Sequence, residues 1–511
     1  MERRRSNSRS LVLGGLALAP LLMGSGPDSP FRFGEDRAPT TLNPIFASTM
    51  VDTRMEELLF DGLFTYDHFL NPAPSLVGSY KINDERTQVN IFLREGFWHD
   101  GKPITAQDVE FTIQVLKDER TRSSAKNMVA EIKSVAVTGP TALTITFIHP
   151  MVQPERTLMF KILPKHAFKN APPMEPRDEF RLNPVGSGPY KFVRWKGTTL
   201  ELEANHHKTV GLSKLHARFV PDKKAQLDFL LYDGLDALVR VLPRHRPVIE
   251  GMAGKVELLP YESLSWWYLG VNHKNPHLEK LEVRRAIAHA IDRDEVRSAH
   301  LGDGQTISGP FAPRSPFYND RVKPYQYDLR AAEALMKKAG YKKVGGIYNK
   351  GGRKVHLKLA VNKDWTVYKD VVLDLQTRLR QAGFEVDIDW LDAASWGDRV
   401  VKGGDFDLTI GAWSFDEASN VDSLFQAEGR NNFVNYKSER MDQLLVQSQE
   451  TRDPELFREI YRRVHEHAHN DLPYIFLWSV SSYTAVSSEV TGVDIHPFRY
   501  FTWIEDWKWQ E

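Results

Sequence analysis

Residues 356–416 read HLKLAVNKDWTVYKDVVLDLQTRLRQAGFEVDIDWLDAASWGDRVVKGGDFDLTIGAWSFD, and the changes of period within them decide the fold class. Residues 356–361 read as a strand. Over 368–382 the spacing turns helical, with Val372, Leu375 and Leu379 on one stripe and Gly383 at the end, where a left-handed cap is wanted. Residues 384–390 alternate through Val386, Ile388 and Trp390, a second helix is expected over about 393–402, and 405–413 is a third, apolar strand. Strand, helix, strand, helix, strand implies parallel βαβ units with right-handed crossovers. Ligands bind such sheets beyond the carboxyl ends of the strands, which is where Trp413-Ser414-Phe415-Asp416 falls.

Working outward, one helix is expected over 282–296 and another from the Asp328 cap to Ala339 before Gly340. A last long helix has Asp453 as its cap and Pro454 in its first turn, and runs to about Ala468 with Leu456, Ile460 and Val464 on one face. The first half has another character. Short strands at 88–93 and 142–147 flank a helix over 105–117 with Val109, Ile113 and Leu116 on one side, an α+β pattern.

The 511 residues exceed what one core sustains, so two or three domains are expected. Lys plus Arg and Asp plus Glu balance at 67 each, which removes the global field that nucleic acid or an anionic membrane would need and suits a small neutral or zwitterionic solute. With no cysteine there is no disulfide, thiolate metal site or thiol nucleophile. Arg3, Arg4, Arg5 and Arg9 precede an apolar run over 11–23, too short for a stable transmembrane helix and suited to a signal peptide; an uncleaved anchor is the competing reading. Leu22-Met23-Gly24 resembles the approach to a lipoprotein cleavage site, but Ser25 stands where the lipid-bearing Cys would be, so lipidation cannot occur there. Ala17-Leu18-Ala19 offers an ordinary cleavage signal with Pro20 unfavourably placed after it.

Several segments, in order, resemble the family 5 extracellular solute-binding proteins of bacterial ABC importers, the oligopeptide, dipeptide and nickel receptors. They are Thr41-Leu42-Asn43-Pro44, Leu93-Arg94-Glu95-Gly96, Trp98-His99-Asp100-Gly101-Lys102-Pro103, Asn183-Pro184-Val185-Gly186-Ser187-Gly188-Pro189-Tyr190, and Val283-Arg284-Arg285-Ala286 with Ala290-Ile291-Asp292-Arg293. Tyr327-Asp328, Ala339-Gly340-Tyr341 and Asp442 with Leu444-Leu445 continue the likeness. The resemblance implies an α/β, two-lobed, type II periplasmic-binding-protein-like fold whose lobes are joined by two crossover segments. Residues 31–258 with 479–511 would form lobe I, including an extra α+β subdomain over about 51–173, and 259–478 would form lobe II, after a signal peptide and leader over 1–30. It implies a non-enzymatic, periplasmic or extracytoplasmic receptor that captures peptides between the lobes and hands them to permease and ATPase subunits, without a cofactor and as a monomer. A receptor for a nickel chelate, haem or a sugar derivative is the alternative.

In peptide-binding members a W-x-x-D segment supplies the Asp that pairs with the ligand ammonium, and Trp413 with Asp416 matches it. A desolvated ammonium needs a buried opposite charge, which a carboxylate supplies; a helix-cap or loop role for Asp416 is the alternative. Ser414 and Phe415 lie between them. Trp266, Trp267 and Tyr268 sit in a strand-like run at the expected first crossover, where alternation sends Trp266 and Tyr268 to one side and Trp267 to the other, so only one face can line a cleft. Asn272, just beyond, completes the candidate ligand-binding set. No catalytic or metal residue is expected. His99-Asp100-Gly101-Lys102-Pro103 has the composition of a tight turn, and Gly186-Ser187-Gly188-Pro189 that of a stiff one. His465-Glu466-His467-Ala468-His469 matches the HExxH of zinc peptidases, but no third ligand can be named and the motif falls at a helix end, so a solvated helix terminus is expected.

Overall fold

The three strands expected over 356–413 form as His356–Asn362, Glu385–Leu391 and Leu408–Ser414 in a computed structural model that describes residues 29–168, 179–262, 264–365, 368–415 and 420–510. His356–Asn362 lies between the other two and pairs with both in parallel. Ser265–Val271 and Tyr474–Phe476 extend the sheet to five strands, each running antiparallel to its neighbour. The helix Lys369–Ala382 buries Val372, Leu375 and Leu379 and ends on Gly383, whose φ of 107° is the left-handed conformation that favours glycine. A Cβ there would sit 3.0 Å from the Gly346 carbonyl oxygen. Gly383→Ala is therefore expected to lower stability by about 1 kcal/mol, read as a lower thermal midpoint with an unchanged circular dichroism spectrum.

Three helices depart from expectation. Instead of one helix over 282–296, Leu281–Ala290 and Arg293–His300 form with a break between them, because the Asp292 side chain accepts from Glu295 N and starts a new helix. The segment after Glu385–Leu391 is a single α-turn, Ala393–Trp396, continued by π-helical turns over Gly397–Lys402. The last helix, Pro454–Asp471, runs almost a turn past Ala468 and stops at Leu472, which takes a φ of 49°.

A second sheet has seven strands, with Phe31–Glu35 pairing in parallel with Lys214–Phe219 and Ala237–Leu238. At one edge, Val256–Tyr261 pairs antiparallel with Ser482–Ser487. The chain leaves this sheet after the first of those strands, builds the five-stranded sheet, and returns through the second, so the two connections run side by side. A four-stranded antiparallel sheet and the helix Ala106–Lys117 form a separate α+β unit with its own core around Trp98, Val109, Ile113 and Ile145. The protein is thus two-lobed, with the extra unit packed beside the seven-stranded sheet.

The two turns have packing roles. Gly101 takes a φ of 81°. Ser187 N and Gly188 N donate to Leu59 O at 3.0 and 2.9 Å, closing the end of helix Met50–Leu59, and a Cβ on Gly186 would lie 1.8 Å from that oxygen. His99 joins them: its Nδ1 accepts from Gly186 N at 3.1 Å, and its Nε2 lies 3.1 Å from Gly188 O.

Candidate ligand cleft

The register Ser265↔Ser414, Trp266↔Trp413, Trp267↔Ala412 brings two sequence-distant segments together, and the Ser265 and Ser414 hydroxyls hydrogen-bond at 2.8 Å. Alternation then separates the aromatic side chains. Trp266 and Tyr268 are buried in the core, where Trp266 packs edge-on to Tyr474 at 5.8 Å between ring centres and Tyr268 lies 4.7 Å from the same ring. Phe415 lies parallel to Trp266 at 6.1 Å, and Trp413 is half-buried against Phe433. Trp267 points the other way, against Tyr368 at 4.0 Å, and lines a cavity of about 370 Å³. Asn272 is buried and donates to Phe406 O at 2.8 Å and Gly404 O at 3.1 Å, which ties a turn together. Asp416 lies outside the described residues.

The cavity beside Trp267 lies between the lobes. Trp267, Tyr368 and Ser414 come from the five-stranded unit; Arg240 and Arg246 come from the segment following Ala237–Leu238 of the seven-stranded sheet; Ser482 begins the returning strand. Of these, only Trp267 and Ser414 were legible as candidates. A signal for the cations does exist, since Arg240, Arg244, His245 and Arg246 form a basic run in a chain whose charges otherwise balance. A second interlobe cavity, of about 630 Å³, has Arg156 and Met151 on one side and Phe317, Asp422 and Tyr461 on the other. Asp422 accepts from Tyr461 Oη at 3.0 Å and Gln449 Nε2 at 2.9 Å, and burial raises its pKa.

A third cavity, of about 450 Å³, lies where the α+β unit meets helix Met50–Leu59, with Glu56, Lys161 and Arg499 in its wall. The adjacent Glu57 accepts from Lys161 Nζ and Arg499 Nη1, both at 2.9 Å. Burial raises the pKa of Glu57, but these two cations outweigh it and hold the carboxyl below its ordinary value. Among the described residues Glu56 has Arg499 at 3.8 Å and also feels Lys161, but burial outweighs both and pushes it up to about 8. Its folded pKa thus exceeds its unfolded one, so the folded state retains a proton that the unfolded state loses. Stability is lost as pH rises between the two values and levels off above about 8. Glu56→Gln removes this dependence. The variant should be more stable than the wild type by about 4 kcal/mol at pH 8 and equal to it well below pH 4.5, measured by thermal melting at both pH values.

The sequence matches the model of the bacterial extracellular solute-binding proteins, family 5, over residues 71–433. The chain belongs to this family. The oligopeptide-binding protein AppA of Bacillus subtilis is 27% identical over 487 residues, covering 92% of this chain and 89% of the relative. Its structure with a nonapeptide superposes with a TM-score of 0.69 at 26% identity, covering 94% and 99% of the two chains. The structure of NikZ from Campylobacter jejuni with Ni(L-His), 24% identical over 94% and 99%, has a TM-score of 0.72 and agrees in fold. The architecture is that of the type II periplasmic binding proteins.

The HExxH segment of this solute-binding protein is not a solvated helix end. His465 is fully buried, with Nε2 2.8 Å from Ser308 Oγ and Nδ1 accepting from Asn319 N at 3.4 Å. Desolvation lowers its pKa to about 3. His469 Nδ1 lies 2.9 Å from Ser308 O. These side chains fasten the helix Pro454–Asp471 to the segment at Ser308, which engages both imidazole nitrogens of His465 and Nδ1 of His469. Among the described residues, no three His, Asp or Glu side chains gather as metal ligands. No helix among them is long and apolar enough to cross a membrane.

Proposed function

We propose that this family 5 solute-binding protein of an ABC importer captures peptides. The N-terminal Arg and Leu pattern of residues 3–23 exports it, and it delivers its ligand to the permease and ATPase of the importer. Lobe I, residues 31–258 with 479–511, and lobe II, residues 259–478, close over the ligand as a monomer, in a hinge motion that ligand shifts by binding the closed form better. The observation that carries the reading is the cavity between the lobes at the end of strand Leu408–Ser414, with Trp267 and Tyr368 as one wall. Rings give a peptide large contact area without demanding one sequence. In this reading Asp416, which follows Trp413, Ser414 and Phe415 in the sequence, receives the ligand ammonium, as the resemblance of Trp413 and Asp416 to the W-x-x-D segment implies. The names of the Bacillus subtilis relative and of the Brucella ABC transporter peptide-binding proteins support peptide over other solutes.

Native mass spectrometry of the protein purified from its own cells tests this reading. Peptides of mixed sequence are the expected cargo. A metal chelate, haem or a sugar derivative in their place would make the alternative correct.

A further inference from the structure

We propose that a small basic sheet over residues 342–354 of lobe II holds this receptor on an anionic phospholipid surface. Between Glu333 and Asp364 stand nine Lys or Arg and no Asp or Glu, in a chain whose charges balance overall. All nine are exposed. The whole-chain balance conceals this local field. The centre of the run folds as three short strands, Lys342–Val344, Ile347–Lys350 and Arg353–Lys354, joined by two Gly-Gly turns at positive φ. A Cβ on Gly345 or Gly346 would meet no atom within 4 Å, so that turn projects freely.

Register decides what the sheet presents. Tyr348 is buried against Phe384, so the face it shares with Lys343 and Lys350 turns toward the lobe. The opposite face carries Lys342, Asn349 and Lys354 in one row and Val344 beside Ile347 in the next, with Val344 59% exposed. Outside the sheet Lys337, Lys338 and Lys358 have carboxylates within 4 Å, those of Glu333, Glu282 and Asp405. The five cations of the sheet itself form no ion pair with any described residue. Glu333, whose carboxyl feels Lys343, is already paired with Lys337 at 2.8 Å. An exposed cationic face with valine and isoleucine among its lysines matches the headgroup boundary of an anionic bilayer, where each cation strengthens binding by about fivefold. The position also fits. Strands His356–Asn362 and Leu408–Ser414 run parallel, so the basic sheet, which precedes His356, sits at their amino end, while the cavity at Ser414 lies at their carboxyl end. A receptor held this way keeps its cleft free to load. The inference draws on the importer family and not on what the cleft carries.

The test is co-sedimentation of the protein exported by its own cells with vesicles of equimolar phosphatidylglycerol and phosphatidylcholine, and with vesicles of phosphatidylcholine alone. The wild type should pellet with the first and not the second, and molar salt should release it. The triple variant Lys342→Gln, Arg353→Gln, Lys354→Gln should bind the anionic vesicles about a hundredfold more weakly, with an unchanged melting midpoint because the three side chains are exposed. Its retained cargo in native mass spectrometry should match that of the wild type, so failure of this proposal and failure of the peptide reading are told apart. No wild-type binding to the anionic vesicles, equal binding to phosphatidylcholine alone, or a loss in the variant under about tenfold overturns the proposal. Wild type that ignores the vesicles but is captured by detergent-solubilised permease, with capture lost in the variant, overturns the lipid assignment in favour of an acidic protein face.

Discussion

If peptides are the cargo, as proposed, Asp416→Ala is expected to weaken their binding by about 2–5 kcal/mol, between about thirtyfold and several thousandfold in Kd. A peptide ammonium held between closed lobes has lost its water, and a carboxylate restores both the opposite charge and the hydrogen-bond acceptors. Removing the carboxylate leaves the ammonium desolvated, which is why the loss exceeds what a surface pair would show. Asp416→Asn separates the two contributions, because it keeps an acceptor but not the charge, and should fall between wild type and alanine. N-acetylated peptides supply the matching control. They should bind the wild type weakly and be indifferent to either substitution. Unchanged affinity of Asp416→Ala in titration calorimetry would remove Asp416 from the site and return it to a loop or cap role.

The second large effect concerns stability. Glu57→Ala should destabilise the protein by about 3–5 kcal/mol, because it strips the shared anion from Lys161 and Arg499, both nearly buried, and leaves two cations without it. Thr502 Oγ1 also loses its 3.4 Å contact to the same carboxylate. Arg499 belongs to the C-terminal segment, Lys161 to the α+β unit, and Glu57 to helix Met50–Leu59, so this carboxylate joins three parts of the chain. Glu57→Gln keeps a neutral acceptor and should cost less, but still more than an exposed substitution. The measurement is the urea midpoint with its slope. A loss under about 1 kcal/mol for the alanine variant would show that Glu56 or water replaces the missing charge.

The periodic parts of the fold were legible and the long-range ones were not. Residues 356–413 carried their own signals: a helical stripe at Val372, Leu375 and Leu379, a glycine where a left-handed cap is needed, and alternation in the flanking strands. The break at Asp292 was missed because the apolar face of 282–296 continues through it, and only the Asp292 cap on Glu295 marks the restart. Alternation separated Trp267 from Trp266 and Tyr268, but which side faces the cleft depended on Tyr368, about a hundred residues away. His465 was misread as solvated for the same reason: its partner Ser308 is 157 positions distant. The cationic wall at Arg240 depends on strand Ala237–Leu238 pairing with Ser482–Ser487 and on Val241 N donating to Tyr483 O, contacts that no local pattern encodes. Glu56 and Glu57 are neighbours of the same residue type, and only tertiary structure gives one of them two cations and leaves the other facing a cavity.

The central claim is that the lobes close on a peptide. Small-angle X-ray scattering tests it on protein stripped by mild denaturation, refolded, and then given back the material it released. The expected result is a fall in the radius of gyration that saturates at one equivalent, with peptide as the material that produces it. Scattering that stays the same while the released material binds, or closure produced by a solute that is not a peptide, would contradict the account.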